Sequence, residues 1–528
     1  MRRDARTLVF QNDHSILLMS DTAGFDSARD MLRSFAELQQ AAGPYHVYRV
    51  SDLSLWSAAA SGMSSRVIMA WLAELGQNEP PASLIAHIQR AMAAFGVLRL
   101  SGDPDSLRLE SEDRALLRQI ADEYGLKLDG AVVNVPASIR GWVKGRLAER
   151  GYPVLDEASM STSPRFDFDL NPDVTLRPYQ AQAVRRFVDR AVSGGVVLLP
   201  CGAGKTVVGV AIAASLGART LIITPSRTIG DQWIAHFSSM TTVESKSIVT
   251  YRRGVPTGPI TVATYQALTS SAGGNGAGLA EVLDQPWGLI IYDEVHSLPA
   301  DVFRQSATVQ SIRRLGLTAT LVREDGRERE VFSLVGPTVY SAPWRELERH
   351  GWIAPVDCVE LRIHLSRSRE VTADRMLAAK LKVVRRILVR HPDDATLLVA
   401  HRLTEVAAVS RVADAPMVTG QTPARSRGDL YLRFRSGDIR RLALSRVANV
   451  GVDLPSASIL IQISGAFGSR QEEAQRVGRV LRPKASGDRA TFYTLVIAGT
   501  REVEFAARRQ RFLIDQGYRY RVLDVDST

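Results

Sequence analysis

Short apolar runs spaced by helix-length segments dominate the chain from about Asp167 onward. One series comprises Val196-Val197-Leu198-Leu199, Thr220-Leu221-Ile222-Ile223, Ile260-Thr261-Val262-Ala263 and Leu289-Ile290-Ile291-Tyr292. A second comprises Thr396-Leu397-Leu398-Val399, Leu442-Ala443-Leu444, Ile459-Leu460-Ile461-Gln462-Ile463 and Thr491-Phe492-Tyr493-Thr494-Leu495. Runs that stay apolar at successive positions, instead of alternating, suit strands covered on both faces. Each series therefore predicts an α/β unit with a parallel sheet, and Tyr340 to Pro355 is the expected connection. The expected domains are residues 1–160, 161–345 and 346–528.

The first 160 residues follow another rhythm. Phe25 to Ala41, Ser64 to Leu75 and Ser83 to Ala94 repeat apolar side chains at the spacing of amphipathic helices. Val97 to Leu109 reads as strand, interrupted by a turn at Gly102-Asp103-Pro104-Asp105. Helices followed by strands fit either a winged-helix-like module that contacts DNA or a partner, or a plain helical scaffold. Ala272-Gly273-Gly274-Asn275-Gly276, within Ser271 to Gly278, predicts a flexible surface loop. No internal repeat is visible in the sequence.

Composition narrows the class. The chain has 528 residues, 45% hydrophobic and 23% charged, the range of a globular protein with several cores. Its 66 Lys and Arg against 56 Asp and Glu give +10, which suits a polyanionic partner without identifying one. Two cysteines, Cys201 and Cys358, can form neither a disulfide framework nor a four-ligand zinc site, as expected in a reducing cytosol. The polar Gln11-Asn12-Asp13 follows Leu8-Val9-Phe10 too soon for an export signal. Val196 to Leu216 contains Lys205 and several glycines, so no membrane span is expected.

Leu199-Pro200-Cys201-Gly202-Ala203-Gly204-Lys205-Thr206 carries the strongest chemistry. It follows an apolar strand and opens the helical run Val207 to Leu216, the setting that a phosphate loop requires. Gly202 and Gly204 let backbone N–H groups approach phosphates, Lys205 is placed for the β- and γ-phosphates of a nucleotide, and the Thr206 hydroxyl suits Mg²⁺. Leu199 stands where the general pattern has its first glycine. Asp293-Glu294-Val295-His296 directly follows the strand Leu289 to Tyr292, and strand ends are where an open α/β sheet binds ligands. Asp293 is placed to hold Mg²⁺ and Glu294 to act as general base on the attacking water. Thr318-Ala319-Thr320 would be an ordinary turn in isolation. Farther along, Gln475-Arg476-Val477-Gly478-Arg479-Val480-Leu481-Arg482 sets Arg476, Arg479 and Arg482 on one helical face. A solvated basic face is one explanation; charge supplied to a γ-phosphate from a second domain is the other.

Taken in order, these motifs resemble superfamily-two helicases. The resemblance narrows at Arg177-Pro178-Tyr179-Gln180, Leu199 to Thr206, Asp293 to Pro299, Leu315 to Arg327, Val447 to Pro455 and Gly468 to Lys484. Together with Leu53-Ser54-Leu55-Trp56 these resemble the XPB-type helicases (xeroderma pigmentosum group B), in particular their bacterial branch. The resemblance implies two tandem RecA-like domains after a mainly helical α+β N-terminal region, and an ATP-dependent DNA helicase moving 3′ to 5′, with a role in repair. It gives Gln180 and Arg177 to adenine, Thr318 and Thr320 to coupling, and Arg323-Glu324-Asp325 to duplex opening. Gly451 and Asp453 would meet nucleotide and nucleic acid, and Gln475, Arg479 and Arg482 would complete the ATP site. The implied partners are single-stranded DNA, duplex junctions, and a repair nuclease or transcription and repair proteins. A cytoplasmic, nucleoid-associated monomer is expected. In one place the chain departs from the family: Leu361 to Lys380 is too short for the helical thumb-like insertion of eukaryotic and archaeal members. A duplex translocase with little unwinding is therefore an alternative, and an RNA helicase would share the ATP site. A non-motor scaffold conflicts with Lys205, Glu294, Arg479 and Arg482 all being present, and a GTPase would need an Asn-Lys-x-Asp motif.

Overall fold

Both apolar series form seven-stranded, wholly parallel sheets. The first runs Ile248–Thr250, Ile260–Thr264, Thr220–Thr224, Trp287–Asp293, Ser311–Thr318, Gly194–Leu198, Thr338–Ser341 from edge to edge. The second runs Met417–Val418, Arg441–Leu444, Thr396–Val399, Ile459–Gln462, Ala490–Ile497, Val356–His364, Arg519–Asp526. Counting strands from the start of each sheet, the order in both is 3-4-2-5-6-1-7. The computed structural model describes every residue except 1–5, 20–21, 23, 43–44, 104–105, 159–162, 190–193, 201, 253, 270–281, 283–284, 296–310, 320–327, 343, 353–354, 366–370, 446–456, 465–488, 516–518 and 527–528. The chain divides into two compact units, Met1–Leu199 with Gly204–Ala342, and Pro343–Thr528 with Pro200–Ala203.

Central strands are buried on both faces, as their composition demands. Trp287–Asp293 is buried at all seven positions. Val196, Ile223, Trp287, Ile290 and Tyr292 share one core with Val331 and Val335. Helix Ala373–Arg390 supplies Val383, Val384 and Ile387 to the core of the second sheet. In that unit, strand Val356–His364 is followed by helix Ala373–Arg390 with only residues 365–372 between them.

The N-terminal region is helix-rich but built around two sheets, so a plain helical scaffold is overturned. Leu8–Phe10, Ser15–Met19, Tyr45–Arg49 and Glu37–Ala42 make an antiparallel sheet. Lys127–Asp129, Val132–Asn134, Arg108–Glu110, Leu98–Ser101 and Val154–Asp156 make a mixed one. The helix expected over Phe25 to Ala41 covers only Phe25–Leu32. Glu37–Ala42 pairs instead with Tyr45–Arg49, where Leu38 meets Tyr48. An aromatic, β-branched partner strand thus overrides the local helical period. The helices expected near Ser64 and Ser83 form as Ser65–Leu75 and Ala82–Ala94. The loop Ser271 to Gly278 lies outside the described residues.

A buried ionic cluster closes the mixed sheet. Asp156 accepts from Arg140 Nε at 2.9 Å and from Lys144 Nζ at 2.7 Å. Burial alone would raise the Asp156 carboxyl, but Lys144 and Arg140 outweigh it and hold the group below the usual carboxylate range. Burial also pushes the Lys144 ammonium down to about 8 against the pull of Asp156. Removing the one carboxylate strands two buried cations, so Asp156→Asn should cost about 3–5 kcal/mol in chemical unfolding of the purified chain. The Asp156 contribution is complete above the unfolded carboxylate pKa, about 4, and is lost as pH falls through the lower folded value. A variant as stable as the parent at neutral pH would show that the cluster is incidental.

Candidate active site

The phosphate-loop segment begins where strand Gly194–Leu198 ends. Leu199 donates its N–H to the Thr318 carbonyl at 3.0 Å, and Leu198 is in register with Thr318, so the segment starts level with the end of the neighbouring strand. Thr318 itself is buried. Pro200 and Ala203 are buried too, and Ala203 N–H closes a turn on the Pro200 carbonyl. Gly202 and Gly204 both have positive φ, 82° and 79°. A Cβ on Gly204 would lie 2.6 Å from Gln180 Nε2, so neither its backbone conformation nor its space admits a side chain. Helix Lys205–Leu216 starts from this glycine, with Thr206 half-buried in its first turn. Such a helix N-terminus, reached through left-handed glycines, is an anion-binding geometry.

Asp293 ends strand Trp287–Asp293 and is buried. Its Oδ2 accepts from Trp233 Nε1 at 2.7 Å, and its carbonyl accepts from the Tyr265 hydroxyl at 2.6 Å. Burial, reinforced by the neighbouring Glu294 charge, pushes the Asp293 carboxyl up to about 6; Trp233 and Lys205 act against that rise. Glu294 has φ 49°, a left-handed backbone in a side chain that disfavours it. Such a residue stores roughly 1–3 kcal/mol of strain and persists where its surroundings over-determine it. The Glu294 side chain pairs with Lys205, whose Nζ lies 2.9 Å from Glu294 Oε1. Lys205, Asp293 and Glu294 are thus brought together.

Trp233 and Tyr265 were not marked by any motif. Trp233 is fully buried on helix Arg227–Met240 and crosses helix Lys205–Leu216 at Gly209, where a Cβ would lie 2.4 Å from its Cη2. Only the missing side chain at Gly209 lets the indole reach Asp293. The Gly209–Trp233 pairing is the signal, and it is readable only in three dimensions. Gln180 is buried, accepts from the Arg177 N–H at 2.9 Å and reaches the Tyr179 hydroxyl at 3.4 Å. Arg177 and Gln180 therefore start helix Pro178–Val188 directly beneath the phosphate-loop glycine. Cys201, Thr320, Arg323, Glu324, Asp325, Gly451, Asp453, Gln475, Arg476, Arg479 and Arg482 lie outside the described residues.

Comparison with known proteins places the chain in a family. The profile of the ERCC3/RAD25/XPB C-terminal helicase matches residues 347–527, that of the type III restriction enzyme res subunit matches 173–323, and a helicase conserved C-terminal domain matches 8–128. A protein of Mycobacterium tuberculosis named DNA 3′-5′ helicase XPB is 41% identical over 541 aligned residues, which cover 98% of both chains. The chain belongs to the XPB helicase family. A DNA 3′-5′ helicase XPB of Kineococcus radiotolerans is 40% identical, covering 98% of this XPB-family chain and 96% of its own. Among solved structures, a fragment of an HsdR type I restriction subunit from Vibrio vulnificus superposes with TM-score 0.50 and 17% identity, covering 80% of this chain and 78% of that one. Likeness at that level speaks to fold alone. The fold is two tandem RecA-like α/β domains. Among the described residues no helix is long and apolar enough to cross a membrane.

Proposed function

We propose that this XPB-family DNA helicase hydrolyses ATP at the site built on Lys205, Asp293 and Glu294 and converts hydrolysis into 3′-to-5′ movement on DNA. The observation that carries this is the Lys205–Glu294 pair at 2.9 Å beside the buried Asp293. A cation for phosphate, a carboxylate base and a metal-binding carboxylate meet at the ends of strands in one parallel sheet. The left-handed glycines present backbone N–H groups to the phosphates. Lys205 exchanges Glu294 for the β- and γ-phosphates, which leaves Glu294 to accept a proton from the attacking water. Asp293 and the Thr206 hydroxyl would hold Mg²⁺; the buried carboxyl, raised toward protonation, is a donor that gains from a cation. Bound Mg²⁺ would neutralise charge on the phosphate oxygens. Arg177 and Gln180 face the adenine end, and Gln475, Arg479 and Arg482 complete the site from the second domain.

Charge supports DNA tracking by that domain. Residues 346–528 contain 31 Lys and Arg against 21 Asp and Glu, equal to the whole formal excess of +10, while residues 1–160 contain 17 against 20. The protein works as a cytoplasmic, nucleoid-associated monomer recruited by repair or transcription proteins. A second reading, translocation on duplex DNA with little strand separation, draws support from the short span of residues 365–372 between strand Val356–His364 and helix Ala373–Arg390, too few for a helical thumb. ATP turnover measured against DNA and RNA strands at rising salt tests the nucleic-acid assignment. DNA should stimulate turnover, RNA should not, and the effect should fade steeply with salt through loss of phosphate contacts. Stimulation by RNA alone would make the chain an RNA motor.

A further inference from the structure

Two parts of the accessory region hold one short piece of the first motor domain. Trp56, on helix Asp52–Ala60, is fully buried against Phe332 of helix Glu328–Leu334, with ring centroids 5.7 Å apart. Arg329, one turn earlier on the same helix, places its guanidinium 5.9 Å from the Trp56 ring centroid and 3.7 Å from Asp52 Oδ2. Helix Arg140–Glu149 packs along the same motor helix and adds Ala148 to the Trp56–Phe332 contact.

The adjoining strand is held as well. Arg314, on Ser311–Thr318, donates from Nη1 to the Leu334 carbonyl at 3.1 Å, tying the strand to the last residue of that helix. Its buried guanidinium lies within electrostatic reach of Asp156 and Arg140 in the accessory ionic cluster. Arg313 turns to the opposite face, as successive strand residues must, and donates to the Phe187 and Val188 carbonyls, both at 2.9 Å. Those carbonyls end the helix that Arg177 and Gln180 begin. The helix beginning at Glu328 is therefore braced by accessory residues, and the strand ending at Thr318 is tied to that helix through Arg314. In sequence they bracket Arg323-Glu324-Asp325.

We propose that Trp56 and Asp52 are positioning residues of the motor: through Phe332 and Arg329 the accessory region sets the stance of the Glu328–Leu334 helix and, through the Arg314 bond to Leu334, of the Thr318 strand, and so how much DNA movement each ATP yields. This rests on the motor function proposed above and on the coupling role that the family resemblance implies for Thr318. A packed aromatic anchor is a rigid contact, able to pass a displacement from one element to the next. A seam serving stability alone had no need to converge on the helix that Arg314 ties to the Thr318 strand.

The test uses the full chain and the variants Trp56→Ala, Trp56→Phe and Arg329→Gln, with ATP affinity, DNA-free turnover, DNA stimulation, base pairs opened or traversed per ATP, and thermal midpoint measured on each. Trp56→Ala and Arg329→Gln should keep ATP affinity and DNA-free turnover within about twofold while the yield per ATP falls about tenfold, the scale of coupling changes in such networks. Trp56→Phe should retain the yield, because an aromatic ring still fills the Phe332 contact. Should Trp56→Ala fail to fold, Arg329→Gln, at a half-exposed side chain, carries the test. An unchanged yield in folded variants would overturn the proposal, as would a parallel fall of affinity, turnover, yield and thermal midpoint. A parent protein whose turnover ignores DNA would overturn the motor function itself, and this proposal with it.

Discussion

Lys205→Ala should reduce ATP hydrolysis to background and weaken ATP binding sharply, whereas Glu294→Gln should spare binding and lose turnover. The two side chains are ion-paired at 2.9 Å, so a shared effect would be the naive expectation. Their charges make the difference. In the proposed site Lys205 is the mobile cation of the phosphate loop, and its loss leaves Glu294 and buried Asp293 as adjacent carboxylates facing incoming phosphates without the ammonium that pairs Glu294. Repulsion then adds to the lost attraction. In Glu294→Gln the anion competing for Lys205 is gone while Lys205 remains, so ATP should bind as well as before or better. The missing base should lower turnover by about two or more orders of magnitude. Nucleotide titration and phosphate release on both variants separate the outcomes. Near-normal turnover in Lys205→Ala would mean that the loop is not the hydrolytic site.

Arg482→Ala should lower turnover about a thousandfold, as for other arginine fingers, with a far smaller change in ATP affinity. Lys205 and Thr206 belong to the first RecA-like domain, and Arg482 lies far along the chain in the second. A guanidinium that reaches the γ-phosphate only when the domains close acts on the transition state and hardly on the ground state. DNA affinity should persist if, as proposed, the phosphate-tracking surface extends over both domains. The check is ATP affinity, DNA affinity and turnover on one preparation. Undiminished turnover would show that the two domains do not share a nucleotide site.

Sheet architecture was largely legible in sequence, because central parallel strands are buried on both faces and must be apolar throughout. Val196-Val197-Leu198-Leu199 and Leu289-Ile290-Ile291-Tyr292 announced their strands for that reason. Edge strands were not legible. Ile248–Thr250 and Met417–Val418 are short and part-exposed, and Arg519–Asp526 alternates charge with apolar residues, so its pairing with Val356–His364 is set by the fold and not by its own composition. The repeated 3-4-2-5-6-1-7 order is likewise invisible as a sequence repeat, since sheet order depends on connections and burial, which many sequences satisfy. At the site, Lys205, Asp293 and Glu294 were readable because their spacing from strand ends is local. Trp233 and Tyr265 were not, because what recruits them to Asp293 is a helix crossing at Gly209 and a contact 28 residues away in the chain. Trp56 lies in the Leu53-Ser54-Leu55-Trp56 stretch of the resemblance, but its role as an anchor against Phe332 is visible only in three dimensions.

The most direct test is a strand-separation and translocation assay with ATP on duplexes carrying a 3′ single-stranded tail, a 5′ tail or blunt ends, alongside triplex displacement. A 3′-to-5′ DNA motor should act on the 3′-tailed substrate, consume ATP in proportion, and stop in Lys205→Ala. Action on the 5′-tailed duplex alone would reverse the assigned direction, and ATP hydrolysis without movement on any DNA substrate would contradict the motor account.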